Sequence, residues 1–274
     1  MPEGPEIRRE ADAIAAAVAG TPLSAIDIRV PTLKRFARRL ATATVVAVEA
    51  RGKALLTRFD NDLTLYSHNQ LYGRWVIARR GHEPATNRSL RIALHGPSQS
   101  ALLYSASDIS VLTDAQLAKH PFLKKLGPDV LNQPLTASDV ADRLQLKPFA
   151  GRRLGALYLD QSFLAGLGNY LRSEILFTSR LHPLHKAGDL SRRAAIKLAR
   201  ETLKLPTHSY ETAGLTVPKS RANAARRRGL DFEERRFWVF GREGQPCHVC
   251  GTPIERIENS GRRVYMCPSC QPLP

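Results

Sequence analysis

Apolar side chains at Ile7, Ala11, Ile14, Ala15 and Val18 recur at helical spacing, and Gly20 supplies a stop. The chain therefore opens with a helix over residues 5–18. After Ala25 the period shortens. Apolar stretches at 44–48, 54–59, 63–66, 75–77 and 90–94 are punctuated by glycines and by the turn Asp60-Asn61-Asp62, and they predict a β-rich domain, a sandwich, ending near Val111. Helical spacing returns from Asp114, first in Leu117, Phe122, Leu123 and Leu126, then over 140–144, 164–176 and 194–203. The stretch 216–236 is rich in Arg, Ala and Lys with few large apolar residues, which reads as a linker or mobile loop. Residues 237–274 form a small terminal module. The boundaries expected are 1–125 for the β-rich domain and 126–215 for the helical one, with the linker and the module following.

A chain of 274 residues accommodates two cores of ordinary size. Its balance of apolar, aromatic and charged residues is that of a folded globular protein. Lys and Arg outnumber Asp and Glu by 41 to 25, a formal charge of +16, which predicts attraction to a polyanion, with nucleic acid first and an anionic membrane second. No run approaches the ~20 apolar residues of a membrane span, and no membrane association is expected. Glu3, Glu6, Arg8 and Arg9 stand where a signal peptide would place its apolar core, so a cytoplasmic location is expected.

The four cysteines, Cys247, Cys250, Cys267 and Cys270, form the pattern CHVC, sixteen residues, CPSC. Two such knuckles point four thiolates at one ion, the ligand set of a structural zinc site, with His248 surplus. The redox alternative needs a CxxC beside a βαβ pattern, which is absent here. Between the knuckles, 255–259 and 262–265 predict a two-stranded ribbon turning at Asn259-Ser260-Gly261. Arg262 and Arg263 then sit at or near its tip, either as solvated charges or as a phosphate grip.

The first ten residues, MPEGPEIRRE, carry chemistry of their own. Removal of a methionine before a small residue such as proline exposes a secondary amine. With an α-amino pKa of about 8, roughly one terminus in ten is free base at pH 7, against about one lysine in a few thousand. The start of a helix further disfavours the ammonium form. A secondary amine that attacks an aldehyde-level carbon yields an iminium, an electron sink with no N–H to lose, and Glu3 or Glu6 can exchange protons beside it. The same residues also suit plain helix initiation, with proline near the start and glutamate in the first turn.

The segments MPEGPEIRRE, ARGKALLTRF, LTLYSHNQLYG, LLYSASDI, HPFLKKLGPDVL, LDQSFLAGLGNYLRSEIL and the CxxC ribbon, in that order, resemble the formamidopyrimidine-DNA glycosylase and endonuclease VIII family of DNA glycosylases and AP lyases. The resemblance spans nearly the whole chain. It implies an α+β fold of two domains. A β-sandwich with a leading catalytic helix precedes a helical domain with a helix-two-turn-helix motif and a four-cysteine zinc ribbon. It further implies attack on C1′ of a damaged nucleotide by Pro2, with Glu3 as general acid or base, departure of the base, a Schiff base, and strand scission by β,δ-elimination.

By the same resemblance Lys53 contacts phosphate and assists the chemistry, and Asn169, after the turn made possible by Gly166 and Gly168, contacts the DNA backbone. Arg262, five residues before Cys267, is the phosphate-gripping arginine. Gln70, Leu71 and Tyr72 match the residues that fill the void left by a flipped nucleotide, and they favour the endonuclease VIII branch and oxidised pyrimidines. Asp129 and Glu174 fall in matching segments, where a structural role competes with a functional one. Arg226, Arg227 and Arg228 stand in a segment longer than the usual connection. The partner implied is damaged double-stranded DNA, the cofactor one structural Zn2+ with no nucleotide cofactor, and the state a monomer. The alternatives are an oxidised-purine glycosylase and a non-catalytic zinc protein that binds DNA damage.

Overall fold

The computed structural model describes residues 2–132, 134–259 and 261–274. They fall into two compact units, Met1–Lys125 and Leu126–Pro274.

In the first unit, helix α1 (Gly4–Val18) precedes eight strands: β1 (Ala25–Ile28), β2 (Val45–Arg51), β3 (Ala54–Phe59), β4 (Leu63–His68), β5 (Arg74–Arg79), β6 (Leu90–His95), β7 (Gln99–Tyr104) and β8 (Asp108–Thr113). A short 3-10 turn (Pro31–Phe36) and α2 (Ala37–Leu40) follow β1, and α3 (Asp114–Ala118) and α4 (Pro121–Lys124) close the unit. The strands make two antiparallel sheets, ordered β2-β3-β4-β8 and β1-β6-β7-β5. Ile7, Ala11, Ile14 and Val18 of α1 share one core with Leu55, Leu63 and Leu65 of the first sheet and Ile92, Leu94 and Leu103 of the second.

Strands β3 and β7 carry consecutive apolar residues, Ala54-Leu55-Leu56 and Ala101-Leu102-Leu103-Tyr104, because both their faces are covered. Leu55 enters the shared core, while Ala54 and Leu56 pack with Tyr66 and Leu117 on the outer face of the same sheet. In β7, Ala101 and Leu103 face the core, and Leu102 and Tyr104 join Leu90 and Ala93 on the opposite side.

The second unit contains α5 (Ala137–Leu144), α6 (Lys147–Ala150), α7 (Leu154–Leu157), α8 (Asn169–Ser179), α9 (Arg192–Glu211), α10 (Lys219–Arg227), α11 (Phe232–Arg235) and the ribbon β9 (Glu255–Asn259) and β10 (Arg262–Met266). Helix α8 is its hub, with every residue from Tyr170 to Phe177 buried. The predicted helix over 164–176 begins only at Asn169, because Gly166 takes φ +95 and Gly168 is extended, which ends any helical path before the amide of Asn169.

The stretch 216–236, expected to be a linker or mobile loop, is folded. Helices α10 and α11 occupy it, and Val217 and Ala222 are buried with Leu215 against Phe232 and Trp238. Small side chains suffice there because Phe232, within the stretch, and Trp238, just beyond it, supply the bulk. The terminal module packs on α8, where Val239, Cys247, Ile254 and Cys267 share a cluster with Phe177. The Glu174 carboxylate accepts hydrogen bonds from the backbone N–H groups of Trp238 (2.8 Å), Val239 (2.8 Å) and Phe240 (2.9 Å), and from the Thr216 hydroxyl. Gln271, fully buried, donates to the Leu181 carbonyl at 2.8 Å. No helix among the described residues is long and apolar enough to cross a membrane.

Candidate functional site

In the sandwich unit, Pro2 stands two residues before α1 and is half-buried, and Glu3, the residue capping that helix, is 3% exposed. The backbone N–H of Glu3 donates to Glu6 Oε2 at 3.0 Å, a glutamate three residues into the helix reaching back to its start. One turn further along α1, Glu10 accepts from Asn69 Nδ2 at 2.6 Å. Burial pushes the Glu10 carboxyl up to about 7. The Asn69 hydrogen bond and the charge of Arg74 oppose that shift, and Glu6 reinforces it.

Asn69 opens the connection between β4 and β5. Its carbonyl accepts from Gly73 N at 2.7 Å, and Gln70 takes φ +50, so the intervening residues form a tight turn. A Cβ on Gly73 would stand 2.7 Å from the Asn69 backbone, so only glycine closes it. Leu71 and Tyr72 consequently stand out at its tip, 63% and 68% exposed. Arg88 Nη1 donates to the Tyr72 carbonyl at 2.6 Å, and the Ser107 hydroxyl donates to Gln70 Oε1 at 2.9 Å. Large apolar side chains are thus held in water on a braced turn.

Lys53 occupies the two-residue turn between β2 and β3, where Gly52 takes φ +62. The register pairs Ala54 with His68, which brings the ARGKALL turn beside the residue that precedes the Asn69 turn. Burial lowers the His68 pKa. Asp108 raises it and the charge of Lys53 lowers it, so Lys53 lies within electrostatic reach of His68. Lys53 itself is buried to 7% exposure.

In the second unit, Gln161 braces the glycine turn: its Oε1 accepts from Gly166 N at 3.1 Å and its Nε2 donates to the Leu167 carbonyl at 2.8 Å. Asn169 is the first residue of α8 and is half-buried. In the ribbon, Arg262 pairs with Asn259 next to the turn and is exposed; Ser260 of that turn lies outside the described residues. Arg226, Arg227 and Arg228 are exposed at the C-terminal end of α10, where cations suit the helix dipole.

The residues singled out as ambiguous divide toward structure. Glu174 is fully buried, and the partners named above hold the chain after α11 to α8. Asp129 Oδ1 accepts from Leu131 N at 2.9 Å, an Asx turn. Sequence reading missed Glu10, Asn69 and His68. The i, i+4 spacing of Glu6 and Glu10 was the available signal for the first, and adjacency to Gln70-Leu71-Tyr72 for the others.

The four cysteine sulfurs lie within 4.8 Å of one another, and the separations of 3.4 Å (Cys250–Cys267), 3.6 Å (Cys250–Cys270) and 3.9 Å (Cys247–Cys270) fit one ion. A tetrahedron with Zn–S bonds of about 2.3 Å has edges of about 3.8 Å. His248 is not in the cluster.

Comparison with known proteins agrees with this geometry. The formamidopyrimidine-DNA glycosylase N-terminal domain matches residues 1–107, its H2TH domain matches 126–219, and the zinc finger found in FPG and IleRS matches 244–273. The chain is 49% identical over 271 residues to Endonuclease 8 of Escherichia coli K12, covering 99% of this chain and 100% of that one, and equally to Endonuclease 8 of Shigella sonnei. Its fold is similar to that of the Lactococcus lactis formamidopyrimidine-DNA glycosylase. The complex with abasic-site DNA gives a TM-score of 0.80, and the complex with DNA containing an oxidised pyrimidine gives 0.81. Each is 19% identical and covers 99% of this chain and 100% of that one. The cysteine cluster accordingly holds one structural zinc. With all three family domains in order and half of its residues shared along the full length, the chain belongs to the formamidopyrimidine-DNA glycosylase/endonuclease VIII family, the bifunctional DNA glycosylases/AP lyases of base excision repair.

Proposed function

We propose that this enzyme removes oxidised pyrimidines from duplex DNA, with Pro2, exposed by loss of Met1, as nucleophile. The secondary amine attacks C1′ of the damaged nucleotide. The C1′–N bond breaks, the base leaves with a proton, and opening of the sugar ring gives an iminium. Loss of a C2′ proton then expels the 3′ phosphate by β-elimination, and δ-elimination expels the 5′ phosphate. Glu3, adjacent to the nucleophile and shielded from water, exchanges protons with the sugar or the base. Its burial suits that task, since it keeps the exchanged proton apart from bulk water.

Lys53 neutralises phosphate charge beside the reacting sugar, Asn169 and Arg262 hold the backbone, and Gln70, Leu71 and Tyr72 fill the gap in the flipped nucleotide's stack. The enzyme acts as a monomer without a nucleotide cofactor, in the cytoplasm at the nucleoid. The observation that carries the reading is the linkage of α1 to the exposed Leu71-Tyr72 turn through Glu10 and Asn69, which ties the chemistry and the void-filling tip into one frame.

Borohydride trapping on a duplex carrying thymine glycol tests it. A covalent adduct is expected with the processed protein and none with Pro2→Gly or with Met1 retained. Robust trapping with Pro2 blocked removes that residue from its role. Faster excision of 8-oxoguanine than of thymine glycol moves the substrate to oxidised purines.

A further inference from the structure

Arg172 heads the largest fully buried side chains of the described residues, with a relative exposure of 0%. A buried guanidinium is costly unless its donors are engaged. Nη1 donates to the Gly155 carbonyl at 2.8 Å, and Nη2 donates both to Asn169 Oδ1 at 2.5 Å and to the Arg263 carbonyl at 2.7 Å. An η nitrogen carries two hydrogens, so this one atom joins the start of α8 to strand β10.

Each of the two bonds has a directional consequence. A guanidinium can only donate, and a side-chain amide has one accepting and one donating end. By taking Oδ1, Arg172 settles the orientation of the Asn169 amide and turns Nδ2 the other way. Among the described residues no acceptor is paired with Nδ2, and Asn169 is half-buried, so that donor faces outward. On the ribbon, β9 covers one edge of β10, and α8 covers the other. The Arg263 carbonyl goes to Arg172, and Tyr265 N donates to the Ser173 hydroxyl at 3.3 Å. Arg262, whose own backbone pairs with Asn259, is one residue from the held carbonyl. Gly155 makes the approach close: a Cβ there would meet Asn259 Oδ1 at 2.8 Å.

We propose that Arg172 is a positioning residue for DNA. It orients Asn169 as a phosphate donor and holds Arg262 in fixed register with it, so that two backbone contacts from different elements are presented as one preformed site. This rests on the reading of Asn169 and Arg262 as phosphate contacts. The gain is preorganisation: a long ribbon arginine and a rotatable amide need not be ordered when DNA arrives.

The test measures Kd for a duplex containing a tetrahydrofuran abasic-site analogue, by fluorescence anisotropy across a salt series. It uses Arg172→Lys and Arg172→Gln in the wild-type and Asn169→Ala/Arg262→Ala backgrounds, with Tm and zinc content recorded. Folded, zinc-loaded Arg172→Gln is expected to bind about tenfold more weakly and to lose about 0.9 from the slope of log K against log salt, one phosphate contact. The double-alanine background should abolish that effect. Arg172 variants that bind as tightly as wild type, or lose the same factor in both backgrounds, overturn the proposal, because a merely structural arginine would lower Tm alone. If Asn169→Ala and Arg262→Ala themselves bind normally, the phosphate reading fails instead. Should neither Arg172 variant fold, the Asn169 side-chain amide is followed by NMR in the wild-type protein. Its Nδ2 protons are expected to shift on saturation with the same duplex, and unshifted protons overturn the proposal.

Discussion

Replacing Glu174 with glutamine changes one oxygen to an amide nitrogen and removes a charge at the centre of the second unit. Oε1 accepts from Val239 N and Phe240 N, and Oε2 accepts from Trp238 N and the Thr216 hydroxyl. The amide nitrogen will choose the Oε2 position. There the Thr216 hydroxyl can keep its proton on the Arg236 carbonyl, 3.0 Å away, and accept instead, whereas at the Oε1 position two backbone donors would be orphaned. One N–H, that of Trp238, still faces another donor, at a cost of about 1–3 kcal/mol, and the two remaining bonds lose charge assistance worth about 1 kcal/mol each. Burial pushes the Glu174 carboxyl upward against those hydrogen bonds, so relief from desolvating the charge offsets part of the loss. The net expectation is a destabilisation of about 2–4 kcal/mol, which lowers the Tm of a unit this size by roughly 5–15 °C. Scanning calorimetry gives the number, and zinc release to a colorimetric chelator should become faster, since the segment lost from α8 leads into the first knuckle. A Glu174→Gln protein as stable as wild type would refute the reasoning and show that relief from the buried charge outweighs the four hydrogen bonds.

Two further outcomes follow from the sandwich unit. The folded pKa of Glu10, about 7, lies above its ordinary 4.5, so the stability linked to its protonation is fully present below pH 4.5 and is lost as pH rises through 7. Glu10→Gln keeps an acceptor for Asn69 and cannot ionise. Its urea-unfolding free energy should therefore change less than that of wild type between pH 4.5 and 7, and parallel curves would contradict the assignment. Leu71→Ala and Tyr72→Ala remove exposed side chains and should shift stability by no more than about 0.5 kcal/mol, while slowing lesion excision from duplex DNA much more than from single strands; equal slowing on both would remove them from void filling.

How far the sequence reached depends on the range of the interaction. The first helix was legible because Ile7, Ala11 and Ile14 recur within single turns. The strands at 45–51, 54–59 and 63–68 were legible because glycine and Asp-Asn-Asp punctuate them. Strand β1 was not individually legible: its four residues, Ala25–Ile28, bury only Ile28 and are ordered by pairing with β6, far along the chain. The Arg-rich stretch misled for a different reason. Its partners are close in sequence, but Leu215 and Trp238 at its borders and Phe232 between its charges form a small core with Val217 and Ala222, which the low count of large apolar residues between 216 and 236 does not register.

Motif spacing along the chain by itself determined the four-thiolate ligand set, the helix that begins beside Pro2 and the family to which the chain belongs, because each is written within short, contiguous segments. Only the tertiary structure decided that Lys53 stands beside His68, that Glu10 grips Asn69, that Glu174 is a buried clamp, and that one arginine joins Asn169 to the ribbon. These pairings link residues up to 91 positions apart. Their partners are selected by sheet register and by the need of buried polar groups for hydrogen bonds, constraints that exist only once the chain has closed on itself.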